Sequence, residues 1–265
     1  MTSIGPDHTA DLVVRRSGTG PPVVLVHGGF PAELTWALQA ELEQRWSLLV
    51  PSRRGFTPSP AAERQDFRAD TDDLVELIAA VPGGAHLVGY SYGGLGACLA
   101  AERLPHLVRS LTLIEVPLWT VAEGDELVRQ IAELADRFAA SSDDAQAERD
   151  FFTLAGVDPA KLDDGEGIRR AMELGRKLRS PREAVPRFPV LTAAGIPALV
   201  ISGEHNPALE RVCDALAKQL DAERARLPGA GHAVPRAPGF NVLLERFLTS
   251  AEQVRGRTQG DTDER

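Results

Sequence analysis

One serine of this 265-residue chain stands in a pattern that could make it a nucleophile. Ser91 lies between Gly89 and Gly93, in the order Gly-x-Ser-x-Gly, after an apolar run and before a helix-like one. A strand that turns sharply into a helix needs small residues around the turn, and it exposes the serine hydroxyl above the sheet edge. The pattern favours nucleophilic acyl chemistry over the alternative, a glycine-rich turn that contains a serine by chance.

A serine hydroxyl is a weak nucleophile unless a base accepts its proton, and His232 is the best-placed histidine for this role. The chain has six histidines, and His232 is the one in the loop between the last predicted strand and the last predicted helix. That loop should lie over the same sheet edge as Ser91, because the order nucleophile, acid, histidine is typical of such an architecture. The alternative is a histidine in a surface loop with no part in chemistry.

Two backbone amides could stabilise the negative oxygen that forms when a nucleophile attacks a carbonyl. One is the amide of Tyr92, directly after the serine, and the other is that of Gly29 in the loop that follows the first buried strand. These two residues are the predicted oxyanion hole. We expect His27, at the end of that strand, to hold the loop through a buried hydrogen bond rather than to act as a base.

The elements that must position these residues alternate along the chain. Short apolar runs predict buried strands, and the segments between them have helical spacing, so a parallel sheet covered on both faces is indicated. Residues 11–16 could add an antiparallel strand at one edge. The predicted strands are 22–27, 46–50, 85–89, 108–115, 197–202 and 222–227, and the predicted helices are 33–44, 66–81, 92–103, 207–220 and 238–249.

The alternation stops between residues 116 and 195, which is too long a stretch for a loop in a compact domain. Helical spacing recurs there without a strand pattern, over 123–139, 145–154 and 167–178. We therefore expect an inserted helical cap. The predicted organisation is a core domain of residues 1–115 and 196–252, the cap of 116–195, and a polar, disordered tail of 253–265.

The chain resembles the α/β-hydrolase superfamily over nearly its full length outside the predicted cap and tail. Arg54-Gly-Phe56 is similar to the family's loop before the first long helix, although Ser52 replaces an aspartate that is usual there. The resemblance implies an α/β-hydrolase fold, a mainly parallel doubly wound sheet with an inserted helical cap, and no metal or cofactor. The motifs that carry it are His27-Gly-Gly-Phe30, Gly89-Tyr-Ser-Tyr-Gly-Gly94 and Gly229-Ala-Gly-His232.

In this family a carboxylate orients the histidine and completes a catalytic triad with the serine. That acid is not at its usual position in this chain. The family's aspartate commonly follows the strand before the last, and the matching residue here is Asn206. In some members the acid instead follows the strand after the nucleophile helix, and Glu115 stands at that place, before Pro117. The fungal zearalenone-type lactone hydrolases are similar at this point.

A carboxylate that ends an apolar strand needs a partner, because burial of an unpaired charge is costly. We therefore predict that Glu115 pairs with His232 and completes the triad with Ser91. Glu204 is the reserve acid. The alternative role for Glu115 is a structural salt bridge at the base of the cap.

These residues and the resemblance imply a cofactor-independent serine hydrolase that acts on a carboxylic ester, lactone or thioester. The substrate should be apolar and of medium size, and it should bind between the cap and the sheet edge. Two alternatives remain open: a non-hydrolytic enzyme of the same fold, such as a lyase, cyclase or cofactor-free haloperoxidase, and a binding protein that has lost its acid. The candidate wall residues are Phe30, Trp36, Tyr90 and Trp119, although aromatic side chains often serve packing alone.

The composition argues against nucleic acids and membranes as partners and favours a small-molecule substrate. The net charge of −9 argues against a nucleic-acid surface, which needs a basic face. No run approaches the roughly 18 apolar residues of a membrane span, and the polar N-terminus predicts a cytoplasmic protein. Two cysteines, Cys98 and Cys213, are too few for a disulfide framework or a metal cluster. The oligomeric state stays open, with a homodimer among the options.

Overall fold

The computed structural model describes residues 7–9, 12–140, 146, 149–150, 153 and 165–263. Eight strands of these residues form one sheet: β1 Asp7–Thr9, β2 Leu12–Ser17, β3 Pro22–Val26, β4 Ser47–Pro51, β5 Ala85–Tyr90, β6 Val108–Ile114, β7 Ala198–Ser202 and β8 Glu223–Arg226. Their order is β1-β2-β4-β3-β5-β6-β7-β8. The first two strands make an antiparallel edge, as expected for residues 11–16, and the pairs from β4 to β8 are parallel.

The register of the central strands brings their carboxyl ends together. Tyr90 of β5 pairs with Ile114 of β6, which in turn pairs with Ile201 of β7. The backbone bonds continue one residue further, because the amide of Ser91 donates to the carbonyl of Ile114 at 2.8 Å and that of Glu115 donates to Ile201 at 3.0 Å. Residues that follow three different strands therefore meet at one edge of the sheet.

Helices cover both faces of the sheet, and the strand period of two divides the core between them. Val24 and Val26 of β3 belong to an apolar cluster on one face, whereas Val23 and Leu25 belong to a cluster on the other. Among the described helices, none has the length and apolar character that crossing a bilayer requires. The helices are α1 Ala32–Thr35, α2 Phe67–Ala79, α3 Gly93–Arg103, α4 Glu126–Ala140, α5 Glu166–Gly175, α6 Phe188–Ala193, α7 Pro207–Leu220 and α8 Phe240–Asp263.

The segment 116–195 has no strand among its described residues. It contains α4, α5 and α6, together with 3-10 turns at Trp119–Ala122 and Pro181–Glu183. One face of α4 is buried, at Val128, Ile131 and Phe138 among other positions with helical spacing. The helix predicted at 145–154 lies largely outside the described residues.

Two predictions of local structure were wrong. Residues 253–263, predicted to be a disordered tail, continue α8. Ala251 is buried and the Arg255 guanidinium donates to the carbonyl of Gly83 at 3.1 Å, so the helix is attached to the core well past the predicted end. The helix predicted at 33–44 is divided into α1 and a 3-10 turn over Gln39–Gln44, where the buried Gln39 amide donates to the carbonyl of Pro235 at 2.8 Å.

Candidate active site

Ser91 occupies the sharp turn between β5 and α3. Its backbone has φ +50°, a left-handed conformation that is uncommon for a residue with a side chain. The turn can form only because the residue two positions after Ser91 is a glycine. A Cβ on Gly93 would lie 2.0 Å from the carbonyl oxygen of His27. The serine turn is therefore packed directly against the loop that follows β3.

His232 faces the serine from the loop between β8 and α8. Its Nε2 lies 3.0 Å from the Ser91 Oγ, within hydrogen-bond distance. The Tyr90 hydroxyl donates to the backbone carbonyl of His232 at 2.8 Å, and the two rings lie 5.2 Å apart. Burial, and secondarily the charge of Glu115, raises the pKa of Tyr90, so this phenol remains a donor. Tyr90 thus fixes the position of the histidine loop.

Tyr92, on the other side of the serine, holds different loops. Its hydroxyl lies 3.1 Å from the carbonyl of Gln65 and 3.0 Å from that of Arg179, so one proton is shared between two acceptors. Burial raises the pKa of this phenol as well. The two tyrosines that flank Ser91 therefore connect it to the histidine loop on one side and to residues before α2 and after α5 on the other.

Glu115 lies directly after β6 and is 1% exposed. Its Oε2 lies 2.7 Å from the His232 Nδ1, and its Oε1 accepts a hydrogen bond from the Gly203 amide at 2.7 Å. Gly203 must itself be small, because a Cβ there would lie 1.9 Å from the carbonyl oxygen of Gly231. The acid, its backbone donor and the histidine loop are thus in mutual contact.

The Glu115 carboxylate is ionised in this environment. Burial alone would raise its pKa, but the interactions of the carboxylate with His205 and His232 outweigh that effect and lower the pKa to about 2. An ionised Glu115 accepts the Nδ1 proton of His232, which leaves Nε2 free to accept the proton of Ser91. The arrangement can therefore remove a proton from the serine and hold it on the imidazole.

Asn206 has a structural role in this region. Its Oδ1 accepts hydrogen bonds from the amides of Ala208 and Leu209, at 2.8 and 3.4 Å, and so caps the N-terminus of α7. The reserve acid, Glu204, is 40% exposed and lies 3.6 Å from Arg226. The carboxylate that the structure brings to His232 is that of Glu115.

His205 is a residue of the site that the sequence left without a role. It follows β7, and its Nδ1 lies 3.5 Å from the Glu115 Oε2. Its ring lies 5.8 Å from that of His232, and its side chain is 13% exposed. The available signal was its place in a loop at the carboxyl edge of the sheet, which it shares with Ser91 and His232.

The loop after β3 is held by His27, whose ring is completely buried. Its Nε2 accepts a hydrogen bond from the Arg53 amide at 2.9 Å, and its Nδ1 lies 3.1 Å from the carbonyl of Gly28. Burial and the Arg53 charge lower the pKa of His27 to about 3, so the ring is neutral. Gly29 and Tyr92 both line the cavity beside Ser91, and their function as oxyanion donors stays a prediction.

A cavity of about 160 Å³ opens above the serine. Phe30, Tyr90 and Trp119 line it, but Trp36 does not: it is buried behind Tyr90, with the two rings 6.3 Å apart. The expectation for Trp36 was therefore wrong, since it supports the wall without forming it. Apolar side chains of the segment 116–195 form the opposite wall, including Ile131, Leu134, Ala135, Phe138, Ala171, Met172 and Leu178.

Charge is scarce in this cavity. Of its described lining residues, Glu115 is the only acid, and none is a lysine or an arginine. Donor atoms of Glu115, His205 and His232 lie within 4.8 Å of one another, a grouping that could suit a metal ion. Both carboxylate oxygens are already hydrogen bonded to Gly203 and His232, however, so we assign no metal to these side chains.

Comparison with known proteins agrees with this architecture. The profile of the alpha/beta hydrolase family matches residues 23–240. The chain is 29% identical to 2-(acetamidomethylene)succinate hydrolase of Mesorhizobium japonicum over 251 residues, which cover 84% of this chain and 85% of the relative. It is 26% identical to the serine hydrolase BPHL of Mus musculus over 253 residues, or 89% and 82% of the two chains.

A solved structure shows the same fold. A variant of CumD, a meta-cleavage product hydrolase, superposes with a TM-score of 0.71 over 93% of this chain and 98% of that chain, at 20% identity. At that identity the likeness speaks for the fold alone. Together with the family match, it confirms the fold class predicted from the three sequence motifs.

Proposed function

Because this chain belongs to the alpha/beta hydrolase family, we propose that it is a serine hydrolase that cleaves a carboxylic ester, lactone or thioester without a cofactor. The observation that carries the proposal is the line of hydrogen bonds from Ser91 to His232 at 3.0 Å and from His232 to Glu115 at 2.7 Å. Ser91, at one end of this line, is among the residues that line the apolar cavity.

The proposed reaction has two stages. Ser91 Oγ attacks the carbonyl carbon while His232 Nε2 accepts its proton, and Glu115 stabilises the imidazolium that results. The amides of Gly29 and Tyr92 hold the negative oxygen of the tetrahedral intermediate. Collapse of this intermediate transfers the proton to the leaving group and leaves an acyl-enzyme on Ser91. Water, deprotonated by His232, then releases the acid.

The cavity supports an uncharged, apolar acyl group. Aliphatic and aromatic side chains form most of its described surface, and an anionic substrate would meet Glu115 there without a lysine or arginine to balance it. The succinate derivative of the Mesorhizobium relative is a carboxylate, so this chain should differ from that relative in substrate. We propose a neutral acyl chain of medium length.

The helices of residues 116–195 supply the second half of the proposed binding site. Residues of α4 and α5 line the cavity opposite the sheet edge, so the serine is enclosed between two layers. We therefore propose that this segment is a cap and that its apolar face sets the shape of the acyl group. The residues before and after it form the proposed core.

The test combines turnover with covalent labelling. The protein is assayed with p-nitrophenyl esters of acetate, butyrate and hexanoate and is labelled with a fluorophosphonate. The proposal predicts both turnover and labelling of Ser91. Labelling of Ser91 without turnover of any of these esters would contradict the proposed ester hydrolysis, and a failure to label would contradict the nucleophile and favour a binding protein.

A further inference from the structure

We propose that His205 is a positioning residue that shares the carboxylate of Glu115 with His232 and thereby sets the basicity of His232. The inference rests on the proposed function, because it assigns His232 the role of the base. It adds a second imidazole to the three residues already described. In this arrangement the Glu115 carboxylate interacts with the rings of both His205 and His232, and the His232 ring faces Ser91.

Three groups surround the Glu115 carboxylate: the amide of Gly203 and the rings of His232 and His205. Its Oε1 is occupied by the Gly203 amide at 2.7 Å, while its Oε2 faces the Nδ1 atoms of both histidines. The distance from Oε2 is 2.7 Å to His232 but 3.5 Å to His205. The two rings therefore compete for one oxygen, and His232 holds the shorter bond.

No hydrogen bond in the described part of the chain accounts for the shielded nitrogens of the partly buried His205 ring. Neither of its nitrogens has a well-formed hydrogen bond there, although both are shielded from solvent. Burial of an unsatisfied polar group is costly, so an attraction to the Glu115 carboxylate would offset part of that cost. The Nδ1 of this imidazole lies 3.5 Å from the Glu115 Oε2, which is within ion-pair distance.

Among the described residues, few other ionisable groups face Glu115 and His205. Tyr90 of β5 and Cys213 of α7 lie close enough for the Glu115 charge to act on them, and burial raises the pKa of both, so both stay uncharged. On the loop of His205 itself, Glu204 lies beside Arg226, which opposes its charge. The charge that reaches His232 thus depends chiefly on Glu115 and on His205.

The direction of the effect follows from this competition. A proton donated by the His205 Nδ1 withdraws negative charge from Oε2, so Glu115 stabilises the His232 imidazolium less. A protonated His205 acts in the same direction by repulsion. Removal of His205 should therefore make His232 more basic, and an asparagine at this position should restore the donor, because its amide nitrogen can replace Nδ1.

The test is the protonation of His232 in the free protein, followed by two-bond ¹H–¹⁵N NMR over a pH series. In His205→Phe, the pH at which half of the His232 rings are protonated (the midpoint) should rise by about half a pH unit or more. In His205→Asn this midpoint should return towards that of the unchanged protein. If His205→Phe does not fold, His205→Leu takes its place. Since no substrate is needed, this result is independent of whether Ser91 labels.

An unchanged midpoint in the apolar variant would overturn the proposal and leave His205 as a packing residue. An equal shift in the apolar and asparagine variants would also overturn it, because the amide retains the donor. Thermal melts of each variant give the stability effect separately. A purely structural role would lower the melting temperature without moving the midpoint for His232.

Discussion

The Glu115 carboxylate lies 2.7 Å from the His232 Nδ1, although the two residues are 117 positions apart in the chain. The contact depends on a left-handed turn at Glu115, whose φ is +47°, directly after Ile114, which pairs with both β5 and β7. Ser91 has a similar φ of +50° after the neighbouring strand. Unusual backbone angles at two members of one hydrogen-bonded line are typical of functional sites.

The first prediction separates the two candidate acids. Glu115→Gln should lower kcat by about 10⁴, as the loss of the carboxylate does in a comparable triad, because the imidazolium loses its counter-charge. Glu204→Gln is the matched control, and its activity should stay near that of the unchanged protein, since Glu204 lies at the surface beside Arg226. Steady-state ester hydrolysis measures both. The reverse order of effects would exclude Glu115 as the acid.

The second prediction concerns stability in acid. The pKa of Glu115 falls from an ordinary 4.5 to about 2 in the folded protein, so its ionised form stabilises the fold. This contribution is fully present above about pH 4.5 and is lost as the pH falls through about 2. The free energy of unfolding should therefore fall more steeply over this range in the unchanged protein than in Glu115→Gln.

Urea titrations across this pH range measure that slope. Glu204→Gln serves as the control and should retain the steep dependence, because an exposed carboxylate gains little from the fold. Equal slopes in the unchanged protein and in Glu115→Gln would show that Glu115 is not held ionised by its neighbours.

The third prediction concerns the loop after β3. His27→Leu should destabilise the protein by about 1–3 kcal/mol, because the buried Arg53 amide loses its acceptor. His106→Leu is the control, since that histidine is exposed. Chemical denaturation at neutral pH measures the difference. If His27→Leu is as stable as the control variant, the ring does not hold the loop.

Much of the fold follows from patterns within the sequence. The central strands are nearly continuous apolar runs, and the glycines around Ser91 leave room for a close approach, so the parallel sheet and the turn could be anticipated. The contact between Glu115 and His232 was predicted from a single anomaly, a carboxylate at the end of an apolar strand. The structure has this contact, at 2.7 Å.

Other features depend on contacts that no local pattern encodes. Asn206 caps a helix, a role that the sequence permits but does not distinguish from that of a triad neighbour. The 3.5 Å approach of His205 to Glu115 depends on how two loops meet. Trp36 lies behind Tyr90 because of the packing between α1 and the sheet, which hydrophobicity alone cannot reveal.

The fourth prediction concerns acyl length. Ala135 of α4 lines the cavity, whereas Ala140 of the same helix is exposed. Ala135→Phe should fill part of the cavity and lower kcat/KM for a hexanoate ester by about tenfold more than for an acetate ester. Ala140→Phe should change neither value. A uniform loss for all esters in Ala135→Phe would mean that the acyl chain binds elsewhere.

Detection of a covalent intermediate on Ser91 is the most direct test of the proposed mechanism. The protein is mixed with p-nitrophenyl butyrate, quenched in acid within the first turnovers, and analysed by intact-protein and peptide mass spectrometry. We predict one butyryl group on the peptide that contains Ser91, none in Ser91→Ala, and a loss of turnover in that variant on the order of 10⁶. Butyrylation of another residue, or undiminished turnover in Ser91→Ala, would contradict the proposed mechanism.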